Sequence, residues 1–298
     1  MSRVLVTGHS GFTGRHLVSH LRTRGHVVSG FDRADGGDIR DSAALARAVR
    51  ATEPEVVYHL AAALKSPDPL ELYSVNVLGT VALMEALAQL DAPPLVVIVS
   101  SSAVYGRTSA GRRVKESAPL RPQTDYGASK LAQELVAMRY FHALRIPVIR
   151  ARTFNLLGPG LPTTLACGSF VDAIVRLERS EGGEPLRTGN LDSARDFTDI
   201  RDVVRAYEAL AEHGRPGRAY NVASGAAVSL RHCLDVLLGL AARPISSELE
   251  PGLVQANDVE VQVGDSSRLR GLTDWEPVIA VDRSLADMLD HRRLEGGR

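Results

Sequence analysis

Residues 2–14 constrain this chain more than any other stretch. Ser2-Arg3-Val4-Leu5-Val6 reads as a short buried strand. It runs into Thr7-Gly8-His9-Ser10-Gly11-Phe12-Thr13-Gly14, and Arg15 to Leu21 continues with helical spacing. A strand, a glycine-rich turn and a helix together cradle a pyrophosphate. Glycines let the backbone turn tightly and approach the phosphates, and the helix N-terminus offers free N–H groups and a partial positive charge. The spacing is Gly-x-x-Gly-x-x-Gly, which taken alone also suits a plain structural turn. Context strengthens the binding reading. A second strand, Val27 to Phe31, ends at Asp32, about 20 residues after the turn, where a carboxylate can hold the adenosine ribose hydroxyls. Gly8, Gly11, Phe12, Thr13, Gly14 and Asp32 are the candidate cofactor contacts. Asp32 favours NAD(H) over NADP(H), because a carboxylate repels a 2′-phosphate; the adjacent guanidinium of Arg33 could accept that phosphate.

The rest of the first half alternates strand and helix. Asp38 and Ile39 either edge an adenine or belong to a polar loop. Asp41 can cap a helix over 43–50, and Gly25 can close the first one. A third strand, Val56 to Leu60, leads into Ala61-Ala62-Ala63. Leu60, Ala61 and Ala62 therefore stand at a strand's carboxyl end, where open parallel sheets bind ligands. His59, in an apolar run, reads as a core histidine. A helical stretch follows from about 70 to 90. Asn76 lies among its apolar residues, and a buried amide needs a partner. It either orients the next helix, touches the cofactor, or bonds within its own helix. Leu95 to Val99 is wholly apolar, as a central parallel strand should be. It delivers Ser100-Ser101-Ser102-Ala103-Val104-Tyr105-Gly106. Tyr126 opens another helix, and Ile146 to Arg150 a further strand. This alternation predicts an α/β fold, a Rossmann-type doubly wound parallel sheet with a smaller C-terminal α/β substrate lobe. The expected division is 1–153 for the dinucleotide domain, with 196–222 returning to it, and 154–195 plus 223–298 for the lobe.

Tyr126 and Lys130 are one helical turn apart and share a face. A free phenol, with a pKa of about 10, exchanges protons poorly at neutral pH. An ammonium and a cationic nicotinamide beside it would lower that value, and a nearby serine hydroxyl would share the proton transfer. Composition narrows the alternatives. Lys plus Arg and Asp plus Glu are both 35, so there is no basic excess to serve nucleic acid. The two cysteines, Cys167 and Cys233, have neither metal nor redox spacing, so no metal is expected. With no leader and no apolar run of membrane-span length, a cytoplasmic location away from membranes is expected.

These motifs resemble the extended short-chain dehydrogenase/reductase family, the nucleotide-sugar epimerases, dehydratases and reductases. The resemblance rests on Thr7 to Gly14, His59-Leu60-Ala61-Ala62, Val75 to Thr80, Ser101 to Gly106, Tyr126 to Lys130 and Arg195-Asp196-Phe197. Within the family, Arg187 to Asp202 and Phe154 to Gly160 are most similar to GDP-4-keto-6-deoxy-mannose reductases, although those often carry histidine where Leu156 stands. The resemblance implies Tyr126 as general acid or base, and Lys130 as its electrostatic partner and a nicotinamide-ribose ligand. It implies Ser101 as the catalytic hydroxyl, with Ser100 and Ser102 as alternatives. Ser102, Asn155, Arg187, Asn190 and Arg195 become candidate ligands of a nucleotide-diphosphate sugar; a surface salt bridge is the competing role for Arg187. The family's 4,6-dehydratases place an Asp-Glu pair where this chain has Ser102 and Ala103. The implied activity is reduction of a keto group, with an epimerase that retains its cofactor as the alternative. A non-enzymatic dinucleotide sensor would not need Tyr126 and Lys130. The family also commonly pairs the helices near 70–90 and 126–143, which implies a homodimer.

Overall fold

The computed structural model describes residues 1–108, 111–253 and 261–295. The first half runs β1 (Arg3–Thr7), α1 (Phe12–Thr23), β2 (Val27–Phe31), α2 (Ser42–Thr52), β3 (Val56–His59) and α3 (Pro69–Tyr73). A π turn at Ser74–Leu78, α4 (Gly79–Ala88), β4 (Leu95–Ser101), α5 (Asp125–Leu144) and β5 (Val148–Thr153) complete it. Beyond lie β6 (Asn155–Leu157), α6 (Ala166–Arg179), β7 (Leu186–Thr188), β8 (Ala194–Asp199), α7 (Ile200–His213) and β9 (Ala219–Val222). The remainder is β10 (Ala227–Ser229), α8 (Leu230–Gly239), β11 (Ser247–Leu249), β12 (Val261–Gln262), α9 (Ser267–Arg270) and α10 (Val281–Glu295).

Local chemistry sets these boundaries. Gly25, at φ +85°, closes α1, a conformation that costs glycine little. The Asp41 carboxylate caps α2 by accepting from the amides of Ala43 and Ala44 at 3.1 and 2.9 Å. Asp68 does the same for α3, where Pro69 occupies the first helical position, whose N–H would be unpaired in any case. The helical stretch that follows is interrupted at Asn76 by the π turn.

Six parallel strands form the main sheet in the order β2-β1-β3-β4-β5-β9. The direction of winding reverses between β1 and β3, which opens a crevice at their carboxyl ends. Side chains alternate across the sheet. Val4, Val6 and Val97 join a core under α1 and α7, while Leu5, Val96 and Ile98 face a second core under α2, α4 and α5. A third core packs α6, α8 and α10 together. β8 pairs there with β6, β10 and β12. The short strand β9 returns to the main sheet beside β5, and Leu269 of α9 and Trp275 rejoin the first core, so the chain passes repeatedly between the two packing units.

One sequence expectation needs correction. The segment 69–88 is long and apolar enough to cross a membrane by length and composition, with a mean hydropathy of 1.3. Half of it is nevertheless buried inside the fold, where Leu83, Met84 and Leu87 fill the second core. The cysteines, distant in sequence, meet in the third core. A hydrogen bond with Cys233, together with burial, raises the Cys167 thiol well above its ordinary pKa, which disfavours its reactive thiolate.

A buried ion pair pins α5 to the sheet. Glu134 and Arg152 are 1% and 3% exposed, and Arg152 donates twice to the carboxylate, at 2.9 and 2.7 Å. Ser100 donates to the same carboxylate at 2.6 Å, and Arg152 also reaches Tyr105 Oη. Removing one member of such a pair leaves the other charge buried and unmatched, which costs about 3–5 kcal/mol. Glu134→Gln should therefore lose that much stability in urea denaturation. A loss below about 1 kcal/mol, the median for an exposed pair, would refute the clamp.

Candidate active site

The glycine turn folds against the end of β3. Gly8 has φ +74°, and a Cβ there would sit 2.7 Å from the Ala61 amide nitrogen. A Cβ on Gly14 would fall 2.2 Å from the Gly8 carbonyl oxygen. Neither position accepts another residue without moving backbone. Gly11 is the N-cap of α1 and supplies no side-chain cap, and no acidic residue stands in the first turn. The amides of Phe12, Thr13 and Gly14 thus open a cationic helix end into the crevice.

Asp32, at the end of β2, accepts from the Ser10 and Ala34 amides, both at 3.2 Å. Burial pushes its carboxyl up, but hydrogen bonds from Ser10 and Ala34 outweigh this and hold it below its ordinary value. It stays a carboxylate at the crevice edge. His9 lies against Gly30, its Nε2 3.1 Å from an Asp35 carboxylate oxygen, and among the described residues its buried Nδ1 has no hydrogen-bond partner. A helix end without a cap, a fixed carboxylate and an orphaned ring nitrogen fit a dinucleotide.

The neighbouring residues are less directly involved. Asp38 is held by two hydrogen bonds from Arg40, at 2.9 and 2.6 Å, and these bonds bring its pKa to about 2. Arg33 is exposed and its Nε lies 3.6 Å from Asp38. Ile39 is buried in the second core and packs against Gly79. Leu60, Ala61 and Ala62 are half-buried beside the turn.

β4 and α5 bring the chemistry together. Ser101 caps the short turn Ser102–Tyr105 through the Ala103 amide, and α5 packs closely on that turn, a Cβ on Gly127 falling 2.7 Å from the Ala103 carbonyl oxygen. Of the three serines, Ser100 points into the clamp and binds Glu134. Ser102 is buried, with its carbonyl 3.4 Å from Gln262 Nε2. Thr124 caps α5 through the Gly127 amide, which starts the helix one residue before Tyr126. Burial raises the Tyr126 phenol, and the Ser101 hydroxyl only partly opposes it. The chain alone therefore does not produce the lowered phenol expected from the sequence. Burial also brings Lys130 down to about 7, with Glu134 opposing.

Asn76 orients α5. Its amide accepts from Ala63 N at 2.8 Å and donates to Ala63 O at 3.0 Å and Ser129 Oγ at 2.9 Å. Both amide hydrogens are used within the protein, while the oxygen, accepting once, keeps a second lone pair. The π turn, a distortion typical of functional positions, aims it across at Ser129.

The other candidates belong to the second packing unit. Asn155 donates to Asp196 O at 3.4 Å. Asn190 closes a turn onto the Asp192 amide. Arg187 makes an exposed ion pair with Glu248 at 3.6 Å, the surface role the sequence left open. Arg195 lies in β8 between β10 and β12, half-buried. The next residue, Asp196, is fully buried and accepts from Ser224 N and Oγ, Gly225 N and Gly264 N. Sequence reading missed Gln133, Glu134 and Gln262. Gln133 and Glu134 follow Lys130 at three and four residues and so share its face, a signal that was available. Gln262 comes from 160 residues away and carries no local signal.

Comparison with known proteins gives the family and the fold. Residues 4–223 match the NAD dependent epimerase/dehydratase family. The chain is 30% identical to the GDP-6-deoxy-D-mannose reductase of Pseudomonas aeruginosa, covering 96% of each. It superposes on RMD from Pseudomonas aeruginosa complexed with NADPH with a TM-score of 0.90 at 28% identity, covering 99% of this chain and 100% of the other. Against the UDP-glucose 4-epimerase of Thermus thermophilus, complexed with NAD, the TM-score is 0.88 at 27% identity, over 98% and 99% of the two chains. A glycine turn built at a sheet's switch point, facing a serine, a tyrosine and a lysine, is what the match covers: the chain belongs to the NAD dependent epimerase/dehydratase family.

Proposed function

We propose that this chain reduces the C4 keto group of a nucleotide-linked 6-deoxyhexose with NAD(P)H, Tyr126 giving the proton. Family membership makes it an enzyme of nucleotide-sugar metabolism. What supports the finer reading is the packing of α5 on the turn that follows Ser101, where a Cβ on Gly127, next to Tyr126, would fall 2.7 Å from the Ala103 carbonyl oxygen. A bound nicotinamide supplies hydride to the carbonyl carbon. The phenol, raised by burial, stays protonated at neutral pH and is ready to donate to the carbonyl oxygen. Ser101 orients that oxygen through its hydroxyl, and the Lys130 ammonium stabilises the phenolate left behind. Ser102 and Ala103 carry no carboxylate, so elimination of water lacks an acid and base. Ser102, Asn155, Asn190 and Arg195 are the proposed substrate contacts. Arg187 would have to exchange Glu248 for a diphosphate.

An epimerase uses the same parts, and the likeness to a UDP-glucose 4-epimerase keeps that second reading. Supplying 4-deuterated NADH with a 4-keto-6-deoxy nucleotide sugar separates the two. A reductase places one deuterium on the product carbon and consumes the cofactor stoichiometrically; isomerisation without net oxidation leaves the epimerase. Asp32, held ionised, and Arg33, drawn to Asp38, support NAD(H) over NADP(H). The same assay with NADPH should give the lower kcat/KM, and a higher one overturns the preference.

Tyr126→Phe removes one hydroxyl. It should lower kcat about 10²- to 10⁴-fold, the range for a general acid, while cofactor affinity measured by fluorescence titration stays unchanged. A variant of near-normal rate would remove Tyr126 from the mechanism.

A homodimer is also proposed. Leu70, Leu78 and Leu135 are 74%, 61% and 63% exposed. They lie on α3, the adjoining π turn and α5, which contact one another. Joining these helices to a second copy would cover the leucines. Light scattering should give twice the chain mass at micromolar concentration, and a monomer there contradicts the pairing.

A further inference from the structure

Lys130 is buried within α5, and its ammonium donates to the Gln133 carboxamide oxygen at 2.5 Å. That contact fixes the orientation of the amide, so Gln133 Nε2 donates to Thr80 Oγ1 at 2.9 Å. The Thr80 hydroxyl proton goes to the Asn76 carbonyl at 2.7 Å. Thr80 Oγ1 is then an acceptor toward His59 Nε2, 2.9 Å away, which places the ring proton on Nε2. His59 Nδ1 must accept, and Thr7 Oγ1 donates to it at 2.7 Å. The Ala61 amide donates in turn to Thr7 Oγ1 at 3.4 Å. Burial and the neighbouring Lys130 charge bring His59 down to about 3, so the neutral ring that this pattern needs is the stable form. Every proton between α5 and the start of the glycine turn has one assignment. The network anchors and does not conduct, because a carboxamide cannot pass a proton along without leaving its stable tautomer.

We propose that Gln133 is a positioning residue for Lys130: its carboxamide holds the ammonium in place and charged, and through Thr80 and His59 ties it to Thr7 at the mouth of the cofactor turn. The proposal rests on the reading of Lys130 as the partner of Tyr126. The physical need is plain. The lysine lies in a nearly dry site that favours the neutral amine. Tyr126 and Glu134 on its own helix and His59 from β3 are the titratable groups nearest it. Glu134 is matched by Arg150 and Arg152 of β5. Glu85 of α4 is engaged with Tyr140, some 15 Å further along α5 at about 1.5 Å per residue. The Gln133 oxygen is thus the acceptor that favours the charged amine without adding a charge.

The chain contains three lysines, Lys65, Lys115 and Lys130, and the first two are exposed. Lysine labelled with ¹³C at Cε therefore reports Lys130 directly by NMR, in the protein alone. A hydrogen bond to a charged group corresponds to about one pH unit. Gln133→Met, which keeps the volume, should lower the Lys130 midpoint by about one unit. Gln133→Glu should raise it. The alkaline limb of kcat/KM should move in the same two directions. Opposite shifts in the two variants are not what loss of packing would give. Coincident titrations in all three proteins overturn the proposal, as does a shifted lysine whose activity limb stays fixed. Should Gln133→Met not fold, the near-isosteric Gln133→Glu carries the test. Failure of the reductase reading leaves the NMR titration readable, so the two failures are distinguishable.

Discussion

The approach of the Gly8 backbone to the Ala61 amide is the contact on which the rest of this structure depends. β1 and β3 are adjacent in the sheet but wind away from each other, and only a residue without Cβ lets their ends close to this distance. That closure sets the direction of α1, whose N-terminus then faces the crevice. It also brings Thr7 next to His59, since Thr7 and His59 are register partners in the β1–β3 pair. The cofactor turn and the first link to α5 come from the same two strand ends. A side chain at Gly8 would disturb both, because its φ of +74° and its neighbouring backbone leave nothing flexible to yield.

The buried polar groups distribute a second constraint. Glu134 binds Arg152 and Ser100, and Arg152 continues through Tyr105 to Asn221 of β9. Asn221 in turn donates to Val114 O and Asp265 O. Such networks contribute little net stability when they replace a well-packed apolar core. They do specify geometry, because each partner has a direction as well as a distance. Here they fix α5 in rotation, which decides where Tyr126 and Lys130 point. Burial raises the tyrosine and lowers the lysine, so the helix carries two groups shifted in opposite senses one turn apart.

Much of the sheet was legible in the sequence. Val4-Leu5-Val6 and Leu95 to Val99 are apolar runs that only a doubly covered strand explains, and Gly25 and Asp41 mark helix ends by their own chemistry. Ser101, Tyr126 and Lys130, the proposed catalytic trio, were singled out by spacing and context together. The second packing unit was not. Its strands are two to six residues long and gain their pairing from segments far apart, so periodicity has no window in which to act. α6 begins at Ala166 after Leu165, which offers no side-chain cap, so nothing in the local sequence marks its start. Arg187 reads the same in sequence whether it meets a diphosphate or Glu248. Asn76 was recognised as needing a partner, but the π turn that aims it at Ser129 depends on tertiary packing.

What the second packing unit contributes is a way to hold the catalytic loop from behind. Gln262 of β12 donates to Ser102 O and Gly106 O at 3.4 and 3.1 Å, so a strand of that unit grips the turn that begins at Ser101. β12 is itself positioned by pairing with β8, and Gly264, just beyond it, donates to the Asp196 carboxylate. Asp196 also binds Ser224 and Gly225, immediately after β9 of the main sheet. Three chain segments distant in sequence thus converge on one buried carboxylate, next in sequence to Arg195. Burial raises that carboxyl, and four donors from three residues oppose the rise. The arrangement makes the position of a proposed substrate arginine and the position of the serine loop depend on the same set of hydrogen bonds.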